Sequence, residues 1–185
     1  MAEFTDLSFR LKDGRAGNLR SAQPGDAAST LALYRAVVDE GEYTLLKADE
    51  LKRDQEQETS NIRSELTAPN KLRLVAELEG EVVGMARVSG GDLARTAHFG
   101  EVDSVWVRAD IRGQGIGRAL MTALEGWARE VGQLEKLGLF VFSTNERAIQ
   151  LYTGMGFEIE GRCPNDIKFG PNRYADTVVM GKRLK

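Results

Sequence analysis

At 185 residues with 42% apolar positions, the chain is long enough to bury one sizeable core and short for two domains. Its 25 Lys and Arg against 28 Asp and Glu leave a net charge of −3, which argues against nucleic acid as a partner because a phosphate-backbone binder normally presents a basic surface. One cysteine, Cys163, and one histidine, His98, exclude an internal disulfide and a Cys/His zinc set, and no run of about 18 apolar residues offers a membrane span. A cytoplasmic setting with no membrane partner and no metal is the expectation, and residues 1–6 carry no leader signal.

Asp13-Gly14-Arg15 is a turn signal between two short extended stretches, so the first twenty residues predict a small hairpin. Pro24-Gly25-Asp26 offers a helix start, and Leu31, Tyr34, Val37 and Val38 recur at helical spacing up to Gly41. Residues 48–68 are highly charged; Leu51, Ile62 and Leu66 give only a thin apolar stripe, which predicts a lightly packed, solvated surface helix stopped by Pro69. Alternation over 72–78, a turn at Glu79-Gly80 and a second run to Val88 predict two antiparallel strands. Gly90-Gly91-Asp92 marks a loop, and residues 98–107 have the aromatic and β-branched content of a strand.

Ile116, Leu120, Leu124, Trp127 and Val131 fall on one face of a long helix that Gly132 ends. Residues 137–142 are nearly all apolar, as in a buried strand. Asn145 then caps a helix to Thr153, and 157–161 and 173–180 read as closing strands.

The strand ending at Val105-Trp106-Val107 is followed by Arg112-Gly113-Gln114-Gly115-Ile116-Gly117-Arg118 and then the long helix. A glycine run at a helix start presents unpaired backbone N–H groups at the positive end of the helix dipole, which suits an anion. The spacing is neither that of a nucleotide P-loop nor the Gly-x-Gly-x-x-Gly of dinucleotide folds. This segment resembles motif A of the GCN5-related N-acetyltransferase (GNAT) superfamily. Asn145-Glu146-Arg147-Ala148-Ile149-Gln150-Leu151-Tyr152, ending in Gly156-Phe157, resembles its motif B at the expected distance.

The resemblance covers residues 18–185 as a GNAT N-acetyltransferase domain, with 1–17 as an N-terminal extension bearing a hairpin strand. It implies an α/β fold: a mixed, mostly antiparallel central sheet of about seven strands flanked by helices. It implies acetyl-CoA as co-substrate, with the amides of Arg112 to Arg118 on the pyrophosphate, the main chain of Val105, Trp106 and Val107 along the pantetheine arm, and Asn145 touching that arm. Arg118 suits either a phosphate contact or plain decoration of the first helical turn.

Acetyl transfer from a thioester to an amine needs a neutral nucleophile, a stabilised oxyanion and a proton for the departing thiolate. Tyr152 matches the family's proton donor; its other reading is a core aromatic whose hydroxyl caps a backbone group. Period-two alternation puts Glu101, Asp103, Val105 and Val107 on one strand face, and Glu101 resembles the glutamate of histone-acetylating members. Glu101 suits a base or water relay and equally a contact to the substrate ammonium. A lysine of pKa about 10.4 costs roughly 4.6 kcal/mol to neutralise at pH 7, and an α-amine near 7.8 about 1 kcal/mol.

The leading reading is an enzyme acetylating a primary amine, on a small molecule, an amino acid or a protein, by direct transfer in a ternary complex. The alternative is a catalytically silent acyl-CoA-binding module. Residues 41–68, 90–96 and 162–174 are the segments expected to choose the acceptor, and a homodimer is compatible with the resemblance.

Overall fold

The computed structural model describes residues 4–130 and 134–185. Its centre is one eight-stranded sheet in the order β1-β2-β3-β4-β5-β6-β8-β7. The strands are β1 (Leu7–Arg10), β2 (Ala16–Ser21), β3 (Lys71–Leu78), β4 (Glu81–Gly90), β5 (Phe99–Val107), β6 (Lys136–Phe142), β7 (Glu158–Gly170) and β8 (Arg173–Arg183). Helices α1 (Ala27–Glu40), α2 (Gln55–Thr67), α3 (Ile116–Glu130) and α4 (Glu146–Thr153) flank it. No helix among the described residues is long and apolar enough to cross a membrane.

Every neighbouring pair is antiparallel except β5 and β6. Their parallel ladder is short: it joins Phe99 to Lys136, Gly100 to Leu137 and Glu101 to Gly138, and stops. Beyond Glu101, β5 keeps its pairing with β4 as far as Val107, while β6 stays with β8 as far as Phe142. The sheet therefore opens into a wedge, and among the described residues the β5 edge past Glu101 has no strand partner.

Two apolar clusters fill the two sides of the sheet. On one, Leu72, Leu74, Ala76, Ala86, Val88 and Val102 meet Ile116, Leu120, Leu124 and Trp127 of α3. The predicted helical stripe is thus the stripe that packs; Val131 and Gly132, its predicted end, lie outside the described residues. On the other side Val75 and Met85 meet Ala27 and Leu33 of α1 and Ile62 of α2.

Three expectations need correcting. The charged segment is no solvated surface helix: Glu58 and Glu65 are buried beside Ile62, because Arg73 of β3 reaches both carboxylates. Ion pairs complete the inner face that apolar residues leave thin. In β6, Phe140 is 61% exposed, since only Leu137, Leu139 and Val141 turn toward the α3 cluster.

The third correction concerns β5. Arg87 faces Asp103 but Met85 faces Trp106, so β5 carries an extra residue opposite Ala86, and Ser104 takes the left-handed φ of 54°. This β-bulge reverses the alternation. Glu101 and Asp103 share their face with Trp106, toward α1 and α2, whereas Val105 and Val107 pack on the α3 side.

Candidate active site

The glycine loop enters α3 with Gly113 at φ 86° and Gly115 at φ 97°, conformations that L side chains rarely adopt. Among the described residues, the six consecutive N–H groups of Gly113, Gln114, Gly115, Ile116, Gly117 and Arg118 donate to no protein acceptor. The Arg112 N–H is the exception in the predicted set, since Ala109 O accepts it at 3.4 Å. A Cβ on Gly115 would meet nothing within 4 Å, so open space lies over the loop. Ile116, 1% exposed, pins the loop to the core, and the Gln114 carbonyl accepts from Lys12 N–H at 3.3 Å. A Cβ on Gly117 would stand 3.4 Å from the Leu151 side chain of α4, ordinary contact distance, so α3 and α4 lie side by side here.

The side chains of the loop do other work. Arg112 donates through Nε to Val107 O at 2.9 Å and grips Glu40 at 2.7 and 2.8 Å, so its guanidinium ties the loop to β5 and to the end of α1. Arg118 reaches Gly154 O at 3.3 Å, joining α3 to the end of α4. Arg147, quoted in the second motif and given no role there, brings Nη2 to 3.4 Å from the Cβ position of Gly113. It has no ion-pair partner among the described residues, and periodicity gives no sign of it because it stands on the exposed side of α4.

Asn145 caps α4, its Oδ1 accepting from Ala148 N–H at 3.1 Å. The cap fixes the first turn of α4, and Tyr152 stands in its last, about two turns on. That side chain is 7% exposed, its ring 5.9 Å from that of Phe157, and its hydroxyl makes no hydrogen bond among the described residues. The reading of Tyr152 as a backbone cap therefore finds no partner. Burial pushes its pKa up to about 12, because a phenolate there would lose its hydration.

On the opposite face, an open cleft of about 300 Å³ is bordered by Lys71, Arg87, Ser89, Asp92, Glu101 and Asp103, among others. The two carboxylates of β5 part company here. Asp103 is held by Arg87 at 2.7 to 3.1 Å, whereas Glu101 is exposed and has no ion-pair partner among the described residues. Trp106 stacks on Tyr34 with centroids 4.5 Å apart, and Arg53 lies over the Tyr34 ring at 5.2 Å. This layer roofs the sheet farther along.

Residues 37–157 match the acetyltransferase (GNAT) family. The chain is 39% identical over 114 residues to the L-methionine sulfoximine/L-methionine sulfone acetyltransferase of Pseudomonas aeruginosa, covering 60% of this chain and 63% of that protein. It therefore spans less than two thirds of that relative. It is 33% identical over 122 residues to the L-amino acid N-acetyltransferase of Escherichia coli, covering 62% of this chain and 69% of that protein. Among solved structures, a GNAT-family acetyltransferase from Streptococcus pneumoniae superposes with a TM-score of 0.85 at 28% identity, covering 90% of this chain and 99% of that one.

Proposed function

Since the chain belongs to the GNAT family of acetyltransferases, we propose that it moves the acetyl group of acetyl-CoA directly to a primary amine within a ternary complex. The observation that carries this reading is the coincidence of two unsatisfied backbone surfaces: six free N–H groups at the start of α3 and the partnerless β5 edge beyond Glu101. Amides at a helix start suit a pyrophosphate, and a free strand edge suits an extended amide-bearing arm. Acetyl-CoA has both parts and supplies an activated thioester. The acceptors named for the Pseudomonas and Escherichia relatives support an amine of the amino-acid class.

The amides of Gly113 to Arg118 hold the phosphates, with Arg147 adding a cation above the loop. The main chain of Val105 to Val107 orients the arm, with one restriction: Val107 O is already engaged by Arg112. A backbone N–H near Val107 stabilises the carbonyl oxygen as it gains charge. Glu101 meets the incoming amine and draws off its proton, directly or through water; Asp103 is unsuited because Arg87 holds it.

Tyr152 delivers the proton that the departing sulfur needs. A phenol near 12 is a weak donor to a thiolate whose conjugate acid lies near 8.5 in water. Loss of hydration raises thiol and phenol alike, so the gap narrows when both stand in the same dry site.

Release of free thiol from acetyl-CoA, read with a panel of primary amines and with the mass of each product, tests the proposal. Amine-dependent release is the expected result. Tight coenzyme binding with no turnover of any amine would establish the silent module instead.

A further inference from the structure

Three strands bring Lys71, Ser89 and Glu101 into one row. Lys71 registers with Ser89, and Ser89 with Glu101. Residues directly opposite in adjacent strands point to the same side, and strands lie about 4.8 Å apart, so the Cα atoms of Lys71 and Glu101 are about 10 Å apart with a hydroxyl between them. All three side chains border the cleft of about 300 Å³.

The neighbouring row along the same face is Arg73, Arg87 and Asp103, and its charges are consumed. Arg73 pairs with Glu58 and Glu65, and Arg87 with Glu65 and Asp103. The next row, Val75, Met85 and Trp106, is apolar. Only the first row offers charges of both signs, Lys71 at one end and Glu101 at the other, with no ion-pair partner for either among the described residues.

We infer that this row recognises a free α-amino acid, with its carboxylate on Lys71 and Ser89 and its ammonium at Glu101. The inference rests on the acetyl-transfer reading above, and it adds Lys71 as the residue that sets acceptor specificity. A zwitterion complements a row that runs from ammonium to carboxylate. A polyamine would set a second cation against Lys71, and the first residue of a polypeptide has no α-carboxylate to offer it. The cleft volume stands at the small end of ligand sites, roughly 300 to 1,000 Å³, as a single amino acid requires. Glu101 is also the last β5 residue paired with β6, so an amine held there stands where the wedge opens toward the donor.

The test compares kcat/KM for a panel of L-amino acids, each beside its carboxamide, in the full chain and in Lys71→Met. Because each substrate is compared between variants, the differing basicity of acid and carboxamide amines cancels. The acid-to-carboxamide ratio is expected to fall about ten- to a hundredfold in Lys71→Met, through KM for the acid and not kcat, and Lys71→Arg is expected to restore it. An unchanged ratio overturns the inference. So does a wild-type protein that acetylates carboxamides and alkylamines but no amino acid, while leaving acetyl transfer itself intact. If no amine is turned over, acetyl transfer fails, and calorimetric titration of the coenzyme-loaded protein decides the row separately. Amino-acid binding lost in Lys71→Met upholds it, and equal binding of acid and carboxamide overturns it.

Discussion

Helices α2 and α3 cover opposite faces of the same strands by opposite means. α3 buries Ile116, Leu120, Met121, Leu124 and Trp127, each worth about 1.5 to 3 kcal/mol of transfer from water. α2 buries Glu58, Ile62 and Glu65, and its hold is an alternating chain of charges through Arg73 and Arg87 to Asp103. A buried ionic chain adds little net stability over apolar packing, yet removing one member costs about 3 to 5 kcal/mol by leaving another charge stranded. The α3 side thus adheres and the α2 side aligns. That division suits a donor, which must be gripped through its phosphates, and an acceptor, which must be chosen.

The largest effect is expected at Gly115, over which open space lies. A carboxylate there would fill the open loop and repel phosphate, so Gly115→Glu is expected to abolish coenzyme binding in calorimetry. Its melting temperature should match that of Gly115→Ala, which shares the positive-φ strain. Normal affinity would mean that the α3 side does not serve the donor. Next in size, Arg73→Met is expected to lose about 3 to 5 kcal/mol in denaturant unfolding. Adding Glu58→Gln and Glu65→Gln should recover much of the loss; failure to recover would mean that Arg73 acts by packing alone.

Tyr152, at the end of α4, is tested by Tyr152→Phe. It is expected to lower kcat about ten- to a thousandfold, with coenzyme affinity and stability at neutral pH held. The phenol also gives an alkaline signature. Its folded pKa is raised, so the stability it contributes is level below pH about 10 and declines as pH climbs toward about 12. The wild-type minus Tyr152→Phe difference absorbance of phenolate should have its midpoint near 12. A midpoint near 10 would place Tyr152 in water.

What the sequence revealed divides along the same line. The stripe from Ile116 to Trp127, the glycines of the loop and the Asn145 cap are local signals, and each sits where spacing puts it. The inner face of α2 escaped notice because its partner charges lie on β3, β4 and β5, distant in sequence, and periodicity counts a glutamate as surface. Asp103 and Glu101 look equivalent in the sequence; only Arg87, on another strand, separates them. Lys71 looks like an ordinary strand-end lysine until register aligns it with Glu101.

Ser104 shifts the phase of its strand. Ahead of it, odd-numbered residues face the α1 and α2 side and even-numbered ones the α3 side; behind it, the parity is exchanged. Flattening the bulge with every residue kept would impose a single parity from Phe99 onward. The indole of Trp106 would be driven into the interior beside Ile116, and two valines would be delivered to the ring of Tyr34 in its place. One extra residue at the bulge thus lets a single strand turn Glu101, Asp103 and Trp106 to one face and Val102, Val105 and Val107 to the other.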